Sequence, residues 1–244
     1  MTCARCQQFA AAPGGTLCVR CAVPGAVVRS PVGLGRATAT LLGVVIAADL
    51  FAVVADVLEM NVTGDIAEGV TGADVVQRAD HADALYNASG IAQAVALLAT
   101  MTVYLCWLWR VRVNAEAFNP GGHSKARGWT IGGWFVPVVN LWFPRRVTLD
   151  IWDSSAPWAE RPGHALVNLW WAMWIVSLFA DRAADTESRH AHAAAALHQA
   201  ASMMLVSDVI DIAAAALAVL VVLKITRMQH GRALAGPVPV PALG

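Results

Sequence analysis

Four stretches of this chain stay apolar for about the length of a bilayer crossing, and that excludes most soluble architectures. They cover residues 37–60, 89–109, 164–180 and 203–223. A helix needs roughly 20 apolar residues to cross ~30 Å of hydrocarbon; the third stretch is the shortest. Of the 244 residues, 57 % are hydrophobic and 14 % charged, whereas about a quarter of a soluble domain is charged. The expected fold is an all-α membrane protein: a four-transmembrane-helix bundle with a re-entrant or interfacial segment, preceded by a small zinc ribbon. A formal net charge of zero leaves no electrostatic footprint for nucleic acid. The ten Trp suit membrane–water interfaces, where the ring is buried and the N–H stays wet.

A fifth apolar stretch, residues 128–144, has the length of a span but the wrong contents. Gly128, Gly132, Gly133, Pro137, Asn140 and Pro144 interrupt it. Broken backbone at membrane depth has to be buried in protein or line a cavity, so residues 128–160 read as a re-entrant or interfacial element. Charge asymmetry points the same way. With four crossings and the N-terminus inside, the outer segments 61–88 and 181–202 hold only Arg78, Arg182 and Arg189 of the 17 Lys and Arg. The rest fall inside, as cytoplasmic loops require. A fifth crossing would move Arg145, Arg146 and Arg161 outside and invert everything after them. The expectation is a multi-pass plasma-membrane protein with both termini cytoplasmic and no cleaved leader, because residues 1–12 lack an apolar core.

Residues 1–28 are polar and carry Cys3, Cys6, Cys18 and Cys21. Two CxxC pairs separated by eleven residues each place two thiolates on one tight turn. Two such turns close a tetrahedral shell around structural zinc. Pro13, Gly14 and Gly15 lie midway, where the ribbon has to reverse. Disulfides are the alternative, but a cytoplasmic segment is reducing. So short a module has no core of its own, so the metal would fold it. The domain reading is a zinc ribbon over 1–28, a membrane domain over 29–232 and a disordered Pro-rich tail over 233–244. Cys106, inside the second span, reads as a small buried apolar residue.

The stretch GWTIGGWFVPVVNLWFPRRVTLDIWDSS, residues 128–155, resembles the signature of a bacterial membrane family of unknown function. Trp134, Pro137, Asn140, Pro144 and Trp152 are its specific part, and the resemblance extends over about residues 41–227. It implies about four helices, often with an N-terminal zinc ribbon, and no assigned activity. Within the stretch, Pro144 suits a first helical position, and Arg146 and Asp150 fall four apart on one face. An amphipathic helix lying on the cytoplasmic leaflet fits this pattern as well as a gate does.

The spans carry acids but no Lys or Arg. Asp49 and Asp56 are seven apart in the first, Asp208 and Asp211 three apart in the fourth, so each pair shares a helix face. At 1.5 Å per residue, Asp56 lies about 6 Å and Asp49 about 16 Å below the outer end of the first span. Asp208 and Asp211 lie about 8 and 12 Å below that of the fourth. An intramembrane carboxylate costs several kcal/mol unless it is paired, protonated or wetted. The options are a bound cation, shared protons, a water-filled vestibule, or hydrogen bonds to neighbouring helices. If the acids share a pocket, the first and fourth helices are neighbours, with Asp49 and Asp211 deep and Asp56 and Asp208 near the mouth. His190, His192 and His198 do not share one face and read as part of a solvated helix extension.

No nucleophile–base constellation, phosphate-binding glycine loop or haem-type histidine pair is visible in the sequence, so an enzyme is the weakest class. The leading reading is a non-enzymatic interaction or regulatory protein whose zinc module contacts a protein partner. The rival is a small cation- or proton-coupled transporter or channel built on the aspartates.

Overall fold

The computed structural model describes residues 2, 3, 7, 9, 10, 28–157, 163–191 and 193–234. Among these are six α-helices: α1 (Val32–Ala67), α2 (Ala73–Phe118), α3 (Trp129–Phe135), α4 (Phe143–Ser155), α5 (Ala165–His190) and α6 (Ala194–Leu234). Three of them, α1, α2 and α6, are long and apolar enough to cross a membrane. The remaining expected span, the third, coincides with the first part of α5, whose 26 residues reach ~39 Å. Asn168 and the indoles of Trp170, Trp171 and Trp174 make α5 less apolar than the other three.

The helices run beyond the apolar stretches. α2 has 46 residues, ~69 Å of helix, and its first third is polar. The segments expected as outer loops, 61–88 and 181–202, are mostly helical, because Ala-rich sequence with Glu and Arg has good helix propensity. The α1–α2 turn occupies 68–72, where Gly69 has φ 85°, a conformation costly for any residue with a Cβ. Arg78 straps this turn with a 2.7 Å ion pair to Asp65.

α1 lies between α2 and α6 and packs along both, while α5 packs along the far side of α6. A Cβ at Gly35 would collide with Thr226, so glycine there lets α1 and α6 approach closely. α3 and α4 fill the space between α2, α5 and α6 at the end holding the α1 N-terminus.

The broken stretch forms neither a crossing nor one continuous element. α3 has seven residues, ~10 Å. Val138 follows Pro137 with φ 68° and ψ −49°, and the Val139 N–H donates to the Pro137 carbonyl at 2.8 Å. That is a γ-turn of the rare positive-φ kind, strained for a β-branched residue. A single 3-10 turn (Val139–Leu141) leads into α4, with Pro144 in its first turn. Val147, Leu149, Ile151 and Trp152 of α4 are buried, so α4 is enclosed by its neighbours and not laid against lipid along one face.

Tryptophan also differs from the sequence expectation. Trp107, Trp152, Trp170 and Trp171 are core residues, not interfacial anchors. Trp134 of α3 packs edge-on against Tyr104 of α2 and Trp174 of α5, at 5.4 and 5.6 Å between ring centres. Cys106 is exposed on α2, contrary to its reading as buried.

Candidate functional site

The α1 acids face the acids of α6. Asp49, Asp56 and Asp208 are buried, Asp49 at 4 % and Asp56 at 2 % exposure; Asp211 is half-buried. The linking group is Gln93 of α2. Its amide Nε2 donates to Asp49 Oδ1 at 3.1 Å and to Asp208 Oδ1 at 2.9 Å. One side-chain amide on α2 thus joins carboxylates of α1 and α6. The Asp56 and Asp208 carboxyl groups lie within hydrogen-bonding reach of each other. Asp211 reaches Ser177 and Asp181 of α5 and also lies near Asp49. Ser207 of α6 donates its hydroxyl to Asp181 Oδ1 at 2.5 Å. Asp208 is therefore the acid that Gln93 links to Asp49, while Asp211 joins this group to the polar residues of α5.

The cluster continues toward the α1–α2 turn. Glu59 sits beside Asp83, and Tyr86 near Asp56. Asp49 Oδ2, Asp56 Oδ2 and Glu59 Oε2 are buried with no hydrogen-bond partner. No ion pair reaches Asp49, Asp56, Asp208 or Asp211 among the described residues. Nor does any group of three or more His, Cys, Asp or Glu among those residues converge as a metal site. A carboxyl can satisfy an orphaned oxygen here by carrying a proton and donating it to a neighbouring carboxylate, and that needs no basic residue.

Gln93, Asp181, Glu59, Ser177 and Ser207 were missed from sequence. Gln93 carried a readable signal, a lone amide inside an otherwise apolar run. Asp181 and Glu59 were obscured because they fall at segment ends, where an acid is unremarkable.

The opposite end of the bundle buries polar groups of both signs. Arg112, 2 % exposed, pairs with Glu116 at 3.0 Å and donates to the Lys125 carbonyl at 2.8 Å; Arg127 also pairs with Glu116. Asp150 accepts from the Ser124 N–H and hydroxyl at 2.8 and 2.7 Å and faces Arg146 at 3.3 Å. His123 sits in this network, in the 119–128 loop. Burial, and after it the Arg112 charge, push its pKa below the ordinary histidine value.

Of the four cysteines in the CxxC pairs, Cys3 lies among the described residues; Cys6, Cys18 and Cys21 lie outside them, as does His192. The Cys3 N–H donates to the Phe9 carbonyl at 2.7 Å, and the Gln7 N–H to the Cys3 carbonyl at 2.9 Å. Gln7 has φ 52°, and Thr2 and Ala10 form an antiparallel bridge. The chain therefore reverses direction between Cys3 and Phe9.

The sequence pattern of one family, described as a domain of unknown function (DUF4328), matches residues 71–227. This chain belongs to that family. The DUF4328 match takes in α2 to α5 and most of α6, with Gln93, Asp181, Asp208, Asp211 and the whole broken stretch. It begins after α1, so Asp49 and Asp56 lie outside it, and it starts later than the resemblance over 41–227 suggests. No curated protein and no solved structure matches the chain.

Proposed function

We propose that this DUF4328 protein is a multi-pass plasma-membrane protein whose aspartate cluster holds and passes protons from the outer side. Four helices, α1, α2, α5 and α6, would cross the bilayer, with both termini cytoplasmic. The observation that carries the reading is the Gln93 bridge between Asp49 and Asp208 beside the orphaned oxygens of Asp49 and Asp56. Same-sign carboxyls in an apolar bundle need protons, cations or water to be tolerated. Protons suit the described geometry better than a dehydrated divalent ion, which needs several oxygens converging on one point. In proteoliposomes holding an internal pH dye, the parent should dissipate an imposed pH gradient. Asp49→Asn should slow it, and Asp185→Asn, an exposed acid paired with Arg189, should not. Equal rates for the parent and Asp49→Asn would remove the cluster from the pathway. Replacing proton flux by potassium flux in the same vesicles tests the cation alternative.

A second reading, an interaction or regulatory protein that docks a partner through its cysteine module, has one observation in its favour. The reversal around Cys3, with Gln7 at positive φ one residue after Cys6, suits a thiolate knuckle for zinc. Purified protein should carry about one zinc per chain, lost in Cys3→Ser/Cys6→Ser. Metal-free protein with intact disulfides would overturn it.

A further inference from the structure

Beyond the acid cluster, the structure contains a basic pocket with no counter-charge. It is a half-open hollow of about 330 Å³ lined by Arg29, Trp109, Arg110, Val113 and Asn114. Two arginines line it and no acidic residue does. Neither Arg29 nor Arg110 makes an ion pair among the described residues.

The pocket is built, because Arg29 is held by its backbone. Its N–H donates to Asn114 Oδ1 at 3.1 Å and its carbonyl accepts from Asn114 Nδ2 at 2.8 Å. Asn114 is itself buried and donates to Gln229 Oε1 at 3.0 Å. Gln229 in turn donates to the Val111 carbonyl and the Ser155 hydroxyl. The segment before α1 is thus pinned to α2 and α6 through a buried amide pair. That fixes Arg29 beside Arg110 with its side chain unspent. Holding two like charges together costs energy unless an anion joins them.

What lies next to the pocket selects the kind of anion. On α2, Trp109, Cys106, Thr102, Leu98, Val95 and Ile91 follow one another at three- and four-residue spacing, which places them on one helix face. The face is open: Ile91, Val95 and Leu98 are 67, 63 and 65 % exposed. From Trp109 to Leu98 the face climbs ~16 Å, about one leaflet of hydrocarbon. We infer that Arg29 and Arg110 hold the phosphate of one anionic phospholipid, whose acyl chain lies along this face of α2 with Trp109 at the headgroup level. Basic pockets at the cytoplasmic side of helix bundles hold acidic headgroups in this way. The inference is independent of the aspartate cluster. It rests on the membrane reading only in placing the pocket at the cytoplasmic leaflet.

The test uses the full chain in vesicles of phosphatidylcholine with or without phosphatidylglycerol, followed by native mass spectrometry of the released protein. The parent should retain one phosphatidylglycerol in preference to phosphatidylcholine. Arg29→Gln/Arg110→Gln should lower that enrichment roughly 25-fold, at about fivefold per arginine. Arg182→Gln/Arg189→Gln, which removes the same two charges elsewhere, should leave enrichment unchanged. Thermal melts in phosphatidylcholine alone report whether the double variant is folded, and Arg29→Lys/Arg110→Lys should recover part of the enrichment. Enrichment unchanged in the Gln double variant would overturn the pocket. Competition by inorganic phosphate as effective as by phosphatidylglycerol would overturn a lipid in favour of a free anion.

Discussion

The two ends of the α1–α6 pair bury polar groups in opposite ways. At the end nearest α4, buried groups of both signs are cross-linked, Asn114 with Arg29 and Gln229, Gln229 with Val111 and Ser155, Asp150 with Ser124 and Arg146, although Arg112 Nη1, both His123 ring nitrogens, Trp152 Nε1 and Ser154 Oγ are buried without a partner. At the other end, the buried charge-bearing groups are all acids, served by the single amide of Gln93. A cross-linked network stabilises the fold only while each partner stays in place. A same-sign cluster gains the fold little. On the proton-holding reading proposed above, the first end is chiefly structural and the second is the site.

The contrast breaks or sharpens on four substitutions. Gln229→Ala should have the largest effect: it opens a cavity and strands Asn114, the Val111 carbonyl and Ser155. A cost of about 3 kcal/mol in detergent unfolding is expected, and a cost below about 1 kcal/mol would show the network to be incidental. Gln93→Leu removes the one donor shared by Asp49 and Asp208. It should cost about 1 kcal/mol of stability yet change proton flux severalfold, which proteoliposomes made from the same preparation would show. Asp49→Leu should fall within about 1 kcal/mol of the parent, because removing a desolvated acid from apolar surroundings is often neutral. A loss comparable with that of Gln229→Ala would make the acid structural.

The smallest expected effect is a pH slope. The His123 pKa is lowered by burial and then by Arg112, so the unfolded chain takes up a proton first as pH falls. The contribution is therefore intact above the ordinary histidine range near 6.5 and is lost as pH falls through that range toward the lower folded value. Melting temperature measured from neutral to mildly acidic pH should decline, and His123→Gln should flatten the decline.

Much of this contrast was legible in the residues. Apolar length marked the three longest helices, and the spacing of Asp49, Asp56 and Asp208 put acids of two helices at similar depth. The interruption at residues 128–144 was read from Gly and Pro, whose backbone preferences are local. What the sequence left hidden was long-range. Nothing in the linear order aims Gln93 at both Asp49 and Asp208, turns Asp211 toward α5, or carries Trp134 between Tyr104 and Trp174. Trp misled because it suits both an interface and a core, and only the packing partners decide. The outer segments misled because their acids and alanines read as solvated loop, while the same residues sustain helix once the flanking turns have begun it.

Counting protons tests the central claim most directly. Unfolding the purified protein at neutral pH in a weakly buffered solution reports whether the folded state holds protons that the unfolded chain gives up. The parent should release protons on unfolding, and Asp49→Asn/Asp208→Asn should release fewer. Equal release from the two proteins, or none from the parent, would contradict a proton-holding cluster.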